Sequence, residues 1–146
     1  MGIFDISFKE KSILASFIII LLVYSKYFLY VFQSLTAGTI DKGEVSGLFI
    51  GAIISLIVYQ VVFHIILGIL KAKDPDEPND ERDRMISANA GNISGWVLGF
   101  AVFVSAGYIF IHDLNALWSA NLLMLALVIS QLSDYAMQLF YYRRGY

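Results

Sequence analysis

Residues 13–32 read ILASFIIILLVYSKYFLYVF, and Lys26 is the only charge among them. A helix of roughly 20 apolar residues crosses a hydrocarbon core of about 30 Å. A short lipid-facing sheet would leave backbone groups unpaired where no water reaches, so this run predicts a transmembrane helix. The run exceeds the apolar core of a secretory signal, about 7–15 residues, and no convincing small-x-small cleavage pattern follows. It is therefore expected to stay in the membrane as an anchor. Ahead of it, Met1-Gly2-Ile3-Phe4-Asp5-Ile6 lacks the Ser or Thr that a myristoylation signal places at its sixth position.

Working outward, three further apolar runs fill most of the 146 residues. Hydrophobic residues make up 58% of the chain and charged residues 15%, against about 25% charged in a soluble domain. Mean hydropathy is +0.70. The expected helices are 12–33, 45–70, 86–111 and 116–142. The expected fold class is all-α: an integral membrane four-transmembrane-helix bundle in one domain, 1–146, with a hinge at 71–85. The chain has no Cys, which removes disulfides, thiol chemistry and Cys-based metal sites.

Lys and Arg set the expected orientation. Lys9, Lys11, Lys71, Lys73, Arg82, Arg84, Arg143 and Arg144 gather on one side of such a bundle. Lys42 stands on the other, with Lys26 inside helix 1 toward that end. The excess marks the cytoplasmic side, so both termini and the hinge are expected in the cytoplasm of a prokaryotic inner membrane. The outer loops become 34–44 and 112–115. Tyr27, Tyr30 and Trp118 are expected at the outer interface, Tyr141 and Tyr142 at the inner one. Lys26 is expected to snorkel outward along its apolar stem, with pairing to Glu44 or Asp113 as the alternative.

The one long polar stretch, KAKDPDEPNDERDR at 71–84, is the hinge. Pro75 and Pro78 stop helix 2 and favour an extended connector. Asn79 or Asp80 can then cap a new helix, with Glu81 and Asp83 at its positive end. Its six acids do not match a calcium-binding loop, which needs Gly where Asn79 falls and Glu where Met85 falls. Two uses remain: a solvated spacer, or a docking surface made by Asp80, Glu81, Arg82, Asp83 and Arg84. The segment 80–90, DERDRMISANA, resembles a stretch that recurs in small prokaryotic multi-pass membrane proteins of unknown function. In those proteins Asp-Glu-Arg-Asp, an aliphatic residue and then Ala precede a membrane helix. The resemblance implies a regulatory or accessory role, sometimes as the membrane partner of a transcription factor. It implies no activity and no catalytic residue.

Two small-residue stripes stand out. Helix 2 opens with Gly43, Gly47, Gly51 and Ser55; helix 3 opens with Ser87, Gly91, Gly95 and Gly99. Residues four apart share a helix face. In lipid such a face lets backbones approach closely, so Gly47, Gly51, Ser55, Gly91, Gly95 and Gly99 are expected to pack. The two stripes lie in opposite leaflets and cannot zip together along their length. Each is expected to receive bulky residues of helix 1 or helix 4, or of another subunit in a homo-oligomer.

Polar residues inside the spans are the candidate site. At 1.5 Å per residue, His64 lies about 10 Å from Lys71, Asn92 about 12 Å from Arg84 and Asp134 about 13 Å from Arg143. The shared depth predicts that His64 and Asp134 pair, steadied by Asn92 and Gln131, with Gln60 one turn away. A carboxylate in hydrocarbon needs a partner or a proton. A His–Asp pair can serve a proton relay, or it can merely fix helix register. His112 is far in depth from His64, which excludes bis-His haem within one subunit. Trp96 is expected to pack in the core. With two His, no Cys and no Gly-x-Ser-x-Gly elbow, no catalytic constellation appears.

The leading expectation is a non-enzymatic accessory or regulatory membrane protein that meets a cytoplasmic or membrane protein partner through its hinge. The alternative is an oligomeric, proton-linked small transporter or channel. No cofactor, no metal and no direct nucleic-acid binding is expected under either.

Overall fold

The computed structural model describes residues 8–39, 41–71 and 81–144, and everything it describes as regular structure is α-helix. Four helices follow in order: α1 (Phe8–Ala37), α2 (Lys42–Lys71), α3 (Glu81–His112) and α4 (Ala116–Arg144). Among the described residues, three helices are long and apolar enough to cross a membrane: Lys9–Ala37, Glu81–His112 and Ala116–Arg144.

The helices outrun the apolar runs because their ends are capped. Beyond Ala37 the chain turns at Gly38, whose φ of 65° is left-handed. The Thr39 amide donates to Ser34 O at 3.1 Å and the Gly38 amide to Leu35 O at 3.3 Å. That pair of bonds is a Schellman cap, which satisfies carbonyls a helix end would leave bare. Asp41 then caps α2, its Oδ1 accepting the Glu44 amide at 2.7 Å. The α3–α4 turn repeats the logic. Asp113 takes a φ of 46°, the Leu114 amide donates to Ile109 O, and Asn115 Oδ1 caps α4 by accepting the Trp118 amide at 3.1 Å. Two short links thus fold the chain into two antiparallel hairpins, α1–α2 and α3–α4.

The hairpins join side by side. α3 packs most extensively on α4, α4 on α1, and α1 on α2, which gives the spatial order α2–α1–α4–α3. α2 and α3, consecutive in sequence, share no comparable contact among the described residues. The expected bundle is therefore more open than closed, with α2 and α3 at its edges.

Two seams hold it. At the α1–α4 seam, Tyr24, Tyr27, Phe28 and Val31 recur at helical spacing and are buried with Ile20, Met124 and Val128; Val45 and Ala52 of α2 complete the cluster. Phe28 stacks on Phe32, and Phe32 stacks on Trp118 with centroids 5.5 Å apart. Tyr27 is a core residue here, not an interface anchor. At the α3–α4 seam the buried residues are Ile86 and Ala90 of α3 and Ala126 and Ser130 of α4. Ser130 Oγ donates to Ser94 O at 2.9 Å. The small-residue faces that meet inside the chain are thus Ala90-xxx-Ser94 and Ala126-xxx-Ser130. Ala and Ser permit a close approach while still offering a methyl or hydroxyl to the neighbour.

The glycine stripes stay open. A Cβ added at Gly47, Gly51, Gly91, Gly95 or Gly99 would meet nothing within 4 Å, and Ser55 is half-buried. The expectation that α1 or α4 fills these faces does not hold among the described residues. Trp96 is likewise not in the core: it is 82% exposed on the bare side of α3. Only packing on a neighbour, not polarity, separates core from lipid-facing residues in such helices.

Candidate functional site

The hairpin topology brings the first turns of α1 and α3 and the last turn of α4 to one end. Glu81 and Asp83 sit in the first turn of α3, and Arg143 and Arg144 in the last turn of α4. Both placements suit the helix dipoles. Asp83 links all three helices. One carboxylate oxygen pairs with the Lys9 ammonium of α1, and the other accepts the Tyr142 hydroxyl of α4 at 2.7 Å. Arg82 adds a long bond from its guanidinium to Tyr142 O at 3.4 Å. Arg144 lies over the Phe140 ring, 4.7 Å from its centroid.

This arrangement divides the expected docking residues. Asp83 is spent within the chain, its side chain only 19% exposed. Glu81, Arg82 and Arg84 are exposed around it. Asp80 lies outside the described residues, as does the rest of the connector at 72–80. The sequence pointed to Asp83 as a charge, but not to its partners. Lys9 is 74 positions away and Tyr142 is 59, and only the pairing of two hairpins brings them together.

Inside the spans, the structure distributes the expected polar cluster. Asp134 is half-buried, and its Oδ2 accepts the Gln138 side-chain amide at 3.0 Å. Its Oδ1 is buried and has no hydrogen-bond partner among the described residues. Gln138 lies one turn along the same helix, so the partner observed for Asp134 is local. Asn92 is exposed. It lies two residues from fully buried Ala90, about 200° round the helix, and so faces away from α4. It does not reach Asp134. Gln131 is exposed and borders an apolar cleft of about 410 Å³ between α1, α2 and α4, together with Tyr24, Phe49 and Met124. The side chains of Gln60 and His64 lie outside those described, so the His64–Asp134 pair does too.

A polar contact that the sequence reading left unpaired lies in the α1–α4 seam. The Tyr27 hydroxyl donates to Asn121 Oδ1 at 2.7 Å, and Asn121 Nδ2 donates to Leu117 O at 2.8 Å. Asn121 is 1% exposed and Tyr27 8%. Side-chain hydrogen bonds between membrane helices contribute on the order of 0.6 kcal/mol, up to about 1.7. The sequence signal was present: a lone Asn early in α4, at the depth of a Tyr in α1. At the α1–α2 turn, the Tyr30 hydroxyl donates to Glu44 at 3.0 Å. Lys26 is exposed and makes no ion pair with Glu44 or Asp113, the acids proposed for it.

Set beside known proteins, the chain matches no family model, no curated protein and no solved structure.

Proposed function

We propose that this chain is a four-span membrane protein with both termini in the cytoplasm, and that it serves a protein partner as an accessory or regulatory subunit. α2 is 30 residues long, about 45 Å at 1.5 Å per residue, which is enough for a fourth crossing. The excess of Lys and Arg at the end formed by Lys9, Arg82, Arg84, Arg143 and Arg144 supports the orientation. The observation that carries the function is the Asp83 node. It fixes three helix ends to one another and leaves Glu81 and Arg84 exposed on a braced base. Opposite charges held at set positions favour one partner over others more than they add affinity. The segment resemblance at 80–90 points the same way.

The test is a crosslinking pull-down of the tagged chain from its native membrane. Its control is the double reversal Glu81→Lys with Arg84→Glu, which spares Asp83. A stoichiometric protein recovered with the native chain and lost from the control is the expected result. Equal recovery from both would remove the hinge from the interaction.

The buried Oδ1 of Asp134, which has no partner among the described residues, favours a second reading, a proton-linked transporter. In that case Asp134→Asn, nearly the same in shape, abolishes pH-driven flux in proteoliposomes. Flux that is absent from the native chain, or unchanged in Asp134→Asn, would end that reading.

A further inference from the structure

We propose that the α3–α4 seam is gated by a proton: it closes on the protonated side chain of Asp134 and parts toward the Asp83 node when that proton leaves.

Ser130, Asp134, Gln138 and Tyr142 recur at every fourth residue of α4 and so lie along one face. The two ends of this stripe bond to α3. Ser130 Oγ donates to Ser94 O at 2.9 Å, and the Tyr142 hydroxyl donates to Asp83 at 2.7 Å. These bonds set the antiparallel register. From Ser94 back to Asp83 is about 17 Å of helix, and from Ser130 on to Tyr142 about 18 Å. Asp134, one turn beyond Ser130, therefore falls level with Ala90, and Gln138 with Ile86. Ala90 is 0% exposed and Ile86 1%, so this stretch of the seam is closed. Neither residue carries a polar side-chain atom.

Asp134 is thus met by α3 with nothing that can donate from a side chain at its own level. Its Oδ2 accepts the Gln138 side-chain amide at 3.0 Å. Its Oδ1 is buried and has no partner among the described residues. Burying an ionised carboxylate without donors costs far more than burying the neutral acid. The closed seam therefore selects the protonated form. The ionised form needs water at Oδ1, and the nearer helix end lies past Gln138 at Tyr142, about 12 Å away. The Ser94–Ser130 bond lies on the other side of Asp134 and serves as the pivot. Acid closes the seam, and alkali parts it.

The charged and titratable groups nearest Asp134 are few. On α3 they are Asp83, Arg82 and Arg84. On α1 they are Lys11, Glu10 and Lys9, since the Tyr27–Asn121 bond sets Leu14 at the level of Asp134. On α4 they are Tyr135, Tyr142 and Arg143. All but Tyr135 lie toward the node end, where Asp83 is paired with Lys9. α2 packs chiefly on α1, and the side chain of its His64 lies outside those described. The inference rests on Asp134, as the transport reading does, but it requires no flux. A seam that parts at the node also moves the base under Glu81 and Arg84, which links a proton to the docking charges.

The test uses the full chain in liposomes. The chain has no native Cys, so spin labels go only where they are placed. One pair, at Ala88→Cys and Ala136→Cys, spans the seam on the node side of the pivot, and both positions are exposed. A reference pair, at Phe103→Cys and Leu123→Cys, spans it beyond the pivot. As the buffer goes from acid to alkaline, the first distance should lengthen by a few ångströms and broaden, and the second should hold. Asp134→Asn, nearly the same in shape and unable to ionise, should keep the acid distance throughout. A native distance indifferent to pH would overturn the proposal. So would an equal movement of the reference pair, or a pH response retained in Asp134→Asn, whether or not His64→Ala removes it. A seam that parts with pH in a chain that carries no proton flux would uphold the proposal and end the transport reading.

Discussion

Ala90→Leu is expected to lower the stability of the protein by about 1–3 kcal/mol, the usual cost of overpacking a filled site. Ala90 is 0% exposed on the face of α3 that α4 covers, one turn from the Ser94 carbonyl that accepts the Ser130 hydroxyl. Three extra carbons there would push α3 from α4 and stretch that bond. The measurement is the thermal unfolding midpoint in mild detergent, with Gly51→Ala as the companion variant. A Cβ at Gly51 meets open space, and alanine is the better helix former by up to about 1 kcal/mol, so that midpoint should hold or rise slightly. A loss with Gly51→Ala and none with Ala90→Leu would reverse the assignment of which small residues pack inside the chain.

Asp83→Lys is expected to release the ends of α1, α3 and α4 from one another. The substitution sets a cation beside Lys9 and leaves the Tyr142 hydroxyl without its acceptor. A partly exposed ion pair contributes up to about 1 kcal/mol, and the hydrogen bond about 1 kcal/mol more. The combined loss, about 2 kcal/mol, is enough to populate a splayed end. Spin labels at exposed Lys11 and Arg84 should report a longer and broader distance distribution. Adding Lys9→Asp restores the ion pair in reverse but not the Tyr142 bond, so it should rescue the distance in part. If the node braces the hinge, Asp83→Lys also reduces recovery of the partner in the pull-down, and the double variant regains some of it. A distance distribution unchanged in Asp83→Lys would show that the node braces nothing.

How much of this was legible beforehand differs between elements. The helices were, since runs such as 13–32 leave the backbone no other way to satisfy itself in lipid. Their ends were placed short because the apolar count stops where the lipid does. Gly38 and Asp41 carry α1 and α2 further, through caps made of local hydrogen bonds, whereas α4 begins at Ala116 as expected. Which face packs was not legible. In a soluble helix polarity separates the inside from the outside; here Trp96 and Phe103 face outward while Asn121 and Ser130 face inward. Lipid and core are equally apolar, so the sorting is done by shape and by hydrogen bonds between helices. The glycines drew attention to the bare faces of α2 and α3, while Ala90, Ser94, Ala126 and Ser130 formed the seam. The charged site was half legible. Asp83 and Glu81 were marked by their position at a helix start, but the division of labour between them was not. It depends on Lys9 and Tyr142 arriving from the other ends of the chain.

The order α2–α1–α4–α3 also has a meaning for assembly. Each hairpin closes on itself through a turn of a few residues, so its contacts are local and form early. The contacts that span the sequence run chiefly along the α1–α4 seam, with its Tyr27–Asn121 bond, and through the Asp83 node. On this topology the two hairpins are expected to form first and to dock afterwards, along the α1–α4 seam and at the Asp83 node. The peptide between them need only be long enough to let them meet.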